Sequence, residues 1–195
     1  YGSPHPKQID GIGGGTAVTS KVALVRKSDR KDFDLYYTFG QVSITKEKVD
    51  YKPTCGNMSA AVGLYAVEEG WCELSEPVTV VKIFNTNPNK IIEVEVPVKN
   101  GQIIYEGNYS ISGVNGTASR INVNFIDSGG AITGNLLPTG NVKDLVELSN
   151  GDQVEASVID AANTIIFVKA EQMGIQGTET GEQFNRSELL DKLEE

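Results

Sequence analysis

One histidine and two cysteines in 195 residues leave little with which to bind a metal or staple a fold. His5 stands between Pro4 and Pro6, and no second histidine or paired cysteine lies at the spacing that a zinc site requires. Cys55 and Cys72 are too few for a disulfide framework, and they flank opposite ends of one predicted helix, too far apart to bridge. A reducing, cytoplasmic setting is therefore expected. No apolar run reaches the roughly 18 residues that a membrane-spanning helix needs, so no membrane partner is expected. Basic residues are also scarce: 17 Lys and Arg face 26 Asp and Glu, for a net charge of −9. No basic stripe with interleaved aromatics offsets that deficit, which argues against nucleic acid as a partner.

What is present is β-rich. Val22–Arg26, Asp34–Thr45, Val78–Phe84, Ile91–Val98, Gly107–Val114, Ser119–Asp127, Asp144–Leu148, Val154–Ile159 and Thr164–Ala170 show alternation or β-branched enrichment. Asn-Gly at 100–101, 115–116 and 150–151 marks hairpin turns. Two helices are predicted. The first spans Met58 to Glu69, capped by Asn57 and stopped by Gly70, and its small apolar residues suit burial inside a curved sheet. The second is the charged segment Ser187–Glu195. A glycine-rich stretch from Gly129 to Gly140 marks the end of a first domain, at residue 140, with only the opening strands of a second following at 141–195.

Two segments carry chemistry. Gln8 to Gly15 is a glycine-rich loop that leads into Thr19-Ser20-Lys21. It fails as a nucleotide-binding fingerprint, because no strand precedes it, no helix follows it and no Walker lysine occurs. Two readings stand: a bare backbone that a ligand approaches closely, or a plain tight turn. Lys21 is either a solvated surface lysine or a base in a partly dry pocket. In Cys55-Gly56-Asn57 the thiol sits at a helix start, where unpaired N–H groups and the positive end of the helix dipole converge. That position favours a thiolate and an incoming carboxylate alike; the bland alternative is an inert buried cysteine. Cys72 reads as structural or incidental.

Several stretches, in order, resemble the PrpF family of methylaconitate, methylitaconate and oxalomesaconate isomerases. They are Gly2-Ser3-Pro4, Gln8-Ile9-Asp10-Gly11, Thr19-Ser20-Lys21-Val22 and Cys55-Gly56-Asn57-Met58-Ser59-Ala60-Ala61-Val62-Gly63, followed by Leu136 to Asn141 and Val158 to Asn163. The resemblance implies an α+β, mostly β fold of the diaminopimelate epimerase type. In it, a β-barrel half wraps a central helix, a second similar domain follows, and the active site lies between the two. Family members begin with a further strand region and carry most of a second domain beyond the equivalent of Glu195. The chain accordingly resembles an internal portion of such a protein, its first domain incomplete at the N-terminus.

The resemblance also implies cofactor-independent isomerisation, a 1,3-proton shift in an unsaturated di- or tricarboxylate such as 2-methylaconitate. Lys21 and Cys55 map onto the acid/base pair. Ser20, Gly56, Asn57, Met58 and Ser59 are the expected substrate donors, through backbone N–H groups and the two serine hydroxyls. Neither metal nor cofactor is expected. Beyond the carboxylate, the implied partners are further copies of the chain or an iron–sulfur hydratase. The rival readings are an amino-acid epimerase of the same fold, which uses two opposed cysteines, and a non-catalytic polycarboxylate-binding or accessory protein.

Overall fold

The computed structural model describes residues 1–184 and 187–194. Two compact units divide the chain, Tyr1–Ser128 and Gly129–Glu195.

The first unit is one curved sheet with a helix against its inner face. Its elements are β1 (Lys21–Lys27), β2 (Leu35–Val42), β3 (Val49–Asp50), α1 (Gly56–Glu68), β4 (Val78–Asn85), β5 (Lys90–Lys99), β6 (Gln102–Ile103) and β7 (Asn122–Phe125). The strand order is β1-β2-β4-β5-β6, with β3 also on β2 and β7 also on β5. All these pairings are antiparallel except β2–β4, which run parallel with Leu35 opposite Ile83. Parallel neighbours need a long crossover, and α1 lies within that crossover.

Alternation decides which side chains face the helix. Leu35, Tyr37 and Phe39 of β2, Val81 and Ile83 of β4, and Ile92, Val94 and Val96 of β5 point inward and meet Val62, Ala66 and Val67 of α1. The small residues of the helix let it lie close: a Cβ on Gly63 would stand 2.4 Å from Val94 Cγ1. Burial is one-sided, because Ala61 and Tyr65 on the opposite face remain exposed.

The helix begins earlier than expected. Cys55, in extended backbone (φ −137°), is the N-cap, and its carbonyl accepts the first helical bond from Ser59 N at 3.0 Å. Asn57 therefore lies within the first turn and does not cap the helix. The stop holds. Gly70, at φ +63°, donates to Val67 O while Trp71 donates to Ala66 O, the paired closure that a left-handed residue after a helix permits.

Asn100 and Gly101 (φ +54° and +70°) form the two-residue turn between β5 and β6. Gly107–Val114 is not a strand. This exposed stretch is held by a single bridge, Tyr109 to Ala118, and has no further neighbour on which to build a ladder. The Ser119–Asp127 and Asp34–Thr45 segments shorten to β7 and β2.

The second unit holds a three-stranded antiparallel sheet, β10-β9-β8, from β8 (Asp144–Glu147), β9 (Gln153–Ala161) and β10 (Asn163–Val168). Two helices follow, α2 (Gly181–Phe184) and α3 (Ser187–Glu194); Glu195, expected in the terminal helix, lies outside the described residues. The compact units divide after Ser128, and the glycine-rich stretch is bonded to β9. Gly130 N donates to Asp160 O, Asp160 N to Leu136 O, and Ile132 N and Thr133 N to Asp160 Oδ2 at 2.8 and 2.6 Å.

Candidate active site

Lys21 opens β1, and the period of two puts it on the face shared with Ala23 and Val25, both packed on the core. Cys55 is half-buried at the start of α1. Lys21 Nζ lies 3.7 Å from Cys55 Sγ. An amine and a thiol thus meet beside a helix N-terminus, whose first-turn N–H groups at Gly56, Asn57 and Met58 have no carbonyl within the helix to bond. Asn57 is exposed, and Gly56 and Met58 are partly so.

The two serines expected to contribute hydroxyls to a ligand are both buried and bonded within the protein. Ser20 is fully buried and donates to Gln8 Oε1 at 2.7 Å. Ser59 is also fully buried and donates to the carbonyl of Cys55 at 2.9 Å. Short side chains at these positions satisfy the Cys55 carbonyl and the Gln8 side chain.

Gln8, read in the sequence only as the first residue of the glycine loop, proves to be its hub. Only 1% exposed, it accepts from Gly15 N (2.9 Å) and Ser20 Oγ through Oε1, and donates to Ser3 Oγ (3.3 Å) through Nε2. The glycines make room for this. A Cβ at Gly13 would stand 2.0 Å from Gln8 Oε1, and one at Gly11 would strike the backbone of Tyr1. At these two positions the chain itself fills the space beside the bare backbone, as a tight turn would have it. Tyr1 adds a bond from its hydroxyl to Lys21 O, at the foot of the lysine.

Behind Cys55, buried Asn85 at the end of β4 donates to Thr54 Oγ1 and so anchors the residue before the thiol. Tyr37 of β2 is fully buried and faces Cys55 and Ser59. Burial, with the Cys55 charge adding to it, pushes its phenol well above the ordinary tyrosine range. Neither Asn85 nor Tyr37 could be found by motif, since each meets its neighbours across long stretches of chain. Cys72, half-buried against the same core, has its thiol pushed up by burial. Both cysteines are free. Among the described residues, no group of three His, Cys, Asp or Glu side chains could hold a metal, and no helix is long and apolar enough to cross a membrane.

A family profile described as PrpF protein matches residues 1–195. The chain belongs to the PrpF family. YraM of Bacillus subtilis is 53% identical over 188 residues, covering 96% of this chain and 51% of YraM. The 3-methylitaconate isomerase of Eubacterium barkeri is 45% identical over 196 residues, covering all of this chain and 51% of that protein. A solved methylitaconate-delta-isomerase matches the whole chain and 50% of its own, at 44% identity and a TM-score of 0.78. The chain thus spans about half the length of the curated relatives it matches. The expected diaminopimelate epimerase-like fold is confirmed by that solved structure and, for fold alone, by a hydroxyproline epimerase from Agrobacterium vitis (13% identity, TM-score 0.53, 89% of this chain and 40% of that one).

Proposed function

We propose that the protein to which this chain belongs is an isomerase that moves a double bond in an unsaturated di- or tricarboxylate of the methylitaconate or 2-methylaconitate type. The reaction is a 1,3-proton shift. One of Lys21 and Cys55 removes a proton from the carbon next to the double bond, giving a dienolate. The other delivers a proton to the far end, and the double bond takes its new place. The sulfur and the nitrogen exchange protonation states across each turnover, so no external acid or redox partner is consumed and no cofactor enters.

The observation that carries this reading is the 3.7 Å approach of Lys21 Nζ to Cys55 Sγ at the start of α1. The carbon acid is weak, so charge on the dienolate must be stabilised; each 1.4 kcal/mol of such stabilisation corresponds to about tenfold in rate. The N–H groups of Gly56, Asn57 and Met58 are the donors assigned to that task, and they suit the substrate's carboxylates equally. An epimerase of this fold opposes two cysteines across its substrate, whereas the group against Cys55 here is an amine. Two reduced thiols suit a cytoplasmic setting.

The test follows deuterium incorporation from heavy water into methylitaconate by proton NMR, in the whole protein, with Lys21→Ala and Cys55→Ala alongside. Both substitutions are expected to remove most exchange and isomerisation. Near-wild-type exchange in either variant would discard the assignment.

A further inference from the structure

One edge of β2 is interrupted, and a single side chain fills the break. β1 takes the other edge from Leu35 to Gln41. On the interrupted edge β4 pairs as far as Tyr37 and β3 begins at Gln41, which leaves Phe39 between them without a strand partner. The carboxamide of Asn87, in the turn between β4 and β5, takes that place. Its Oδ1 accepts from Phe39 N and its Nδ2 donates to Phe39 O, both at 2.8 Å, as a neighbouring peptide unit would. Nδ2 also donates to Tyr51 O at 2.5 Å. Both donors and the acceptor of this one amide are thereby in use.

These bonds join the two segments that carry the proposed acid/base pair. Phe39 lies opposite Ala23 in the β1–β2 ladder, two positions along β1 from Lys21. Tyr51 lies four positions before Cys55. Asn85 adds a second tie to the same segment, since it accepts from Asn87 N at 3.2 Å and donates to Thr54 Oγ1.

We propose that Asn87 is a positioning residue for the pair: by bonding Phe39 and Tyr51 at once, it fixes the segment that ends in Cys55 against the strands that place Lys21. Its bonds are to backbone groups, so it acts through them. Aspartate has the same shape, but it turns a carboxylate oxygen toward the carbonyls of Phe39 and Tyr51. Asn87→Asp thus replaces two donor bonds by repulsion at nearly unchanged volume, and leaves two carbonyls without their partner.

This inference rests on the proton-transfer reading for its effect on turnover but not for its effect on geometry, and the test keeps the two apart. In the whole protein carrying Cys72→Ser, o-phthalaldehyde reports on the pair without substrate. It condenses with an amine and a thiol that lie close together, losing water and forming a fluorescent isoindole; Cys55→Ala sets the background. Asn87→Asp is expected to slow isoindole formation about tenfold, and to lower kcat for deuterium exchange into methylitaconate by up to about 10²-fold, the penalty for a misplacement of about 1 Å. KM should hold, because the N–H donors belong to α1 and are set by the helix. Val96→Ala, a truncation in the core on β5, controls for stability: it should lower the melting temperature and leave both readouts unchanged. Should Asn87→Asp fail to fold, Asn87→Ala carries the same comparison, since it removes the bonds without adding a charge. Isoindole formation at the parent rate, a loss no greater than in Val96→Ala, or a parent signal no higher than background would each overturn the inference. Slowed isoindole formation in a protein whose Cys55→Ala variant still exchanges protons would retain the role of Asn87 and discard the proton-transfer reading.

Discussion

Lys21 Nζ and Cys55 Sγ stand 3.7 Å apart although 34 positions separate them in the chain. The strand that carries the lysine and the helix that carries the thiol are both fixed by the same core, so the pair is held from two sides. An amine can give up its proton to a neighbouring sulfur and take it back. A guanidinium in the same place would keep the charge and lose that capacity.

Lys21→Arg is therefore expected to leave Cys55 readily alkylated while proton exchange into methylitaconate falls by about 10²–10⁴-fold, the range for a positioned acid or base. Comparing iodoacetamide alkylation with deuterium incorporation in the same sample separates the two effects. Retained exchange in Lys21→Arg would show that the lysine supplies charge alone.

Gly63→Ala should destabilise the first unit by about 1–3 kcal/mol through overpacking, because the added methyl meets Val94 Cγ1 at 2.4 Å. Helix propensity alone predicts the opposite sign, since alanine is the better helix former. Urea unfolding decides between them, and Val94→Ala added to Gly63→Ala is expected to restore part of the loss.

Gln8→Ala leaves Gly15 N, Ser20 Oγ and Ser3 Oγ without their shared partner. Amide hydrogen exchange is expected to accelerate at Gly15 and its neighbours, by as much as one to two orders of magnitude for a lost bond of about 1–3 kcal/mol. Alkylation of Cys55 should change little, since the thiol is anchored separately through Thr54 and Asn85.

Asp160 offers a pH test within the second unit. Burial pushes its carboxyl up, but the N–H groups of Thr133 and Ile132 and the Thr133 hydroxyl outweigh that and hold it below the ordinary value of 3.8. A depressed acid stabilises the folded form above its unfolded pKa, and that contribution fades as pH falls through the folded one. Protection of the Ile132 and Thr133 amides from exchange is thus expected to be complete at neutral pH and to decline only below about pH 4. Asp160→Asn should bring the low-pH behaviour to neutral pH. Amides that stay equally protected in Asp160→Asn would refute the clamp.

The parts legible in the sequence were those written locally. Alternation in Val78–Phe84 and Ile91–Val98 located β4 and β5, Gly70 marked the helix stop, and Asn100-Gly101 marked a tight hairpin. The resemblance to PrpF proteins brought out Lys21 and Cys55 together, and the structure brings them into contact. The parts that escaped depend on partners remote in sequence. Gly107–Val114 has strand-like composition but no ladder to join, and Cys55 rather than Asn57 caps α1 because its carbonyl accepts from Ser59. Ser20 and Ser59 carry hydroxyls of the right kind, yet both are buried, bonded to Gln8 and to the Cys55 carbonyl. Tyr37 and Asn85 are single polar letters whose surroundings come from segments far off in the chain.

The bond from Asn85 to Thr54 has a consequence for how the protein is made. The anchor of the reactive loop lies 31 positions downstream of the residue it holds, and β4 must also find β2 in parallel, a non-local pairing that forms slowly. A nascent chain leaving the ribosome exposes its thiol before the strand that braces it has been synthesised. A polypeptide interrupted before residue 85 therefore carries the sulfur without the bond that anchors Thr54 beside it.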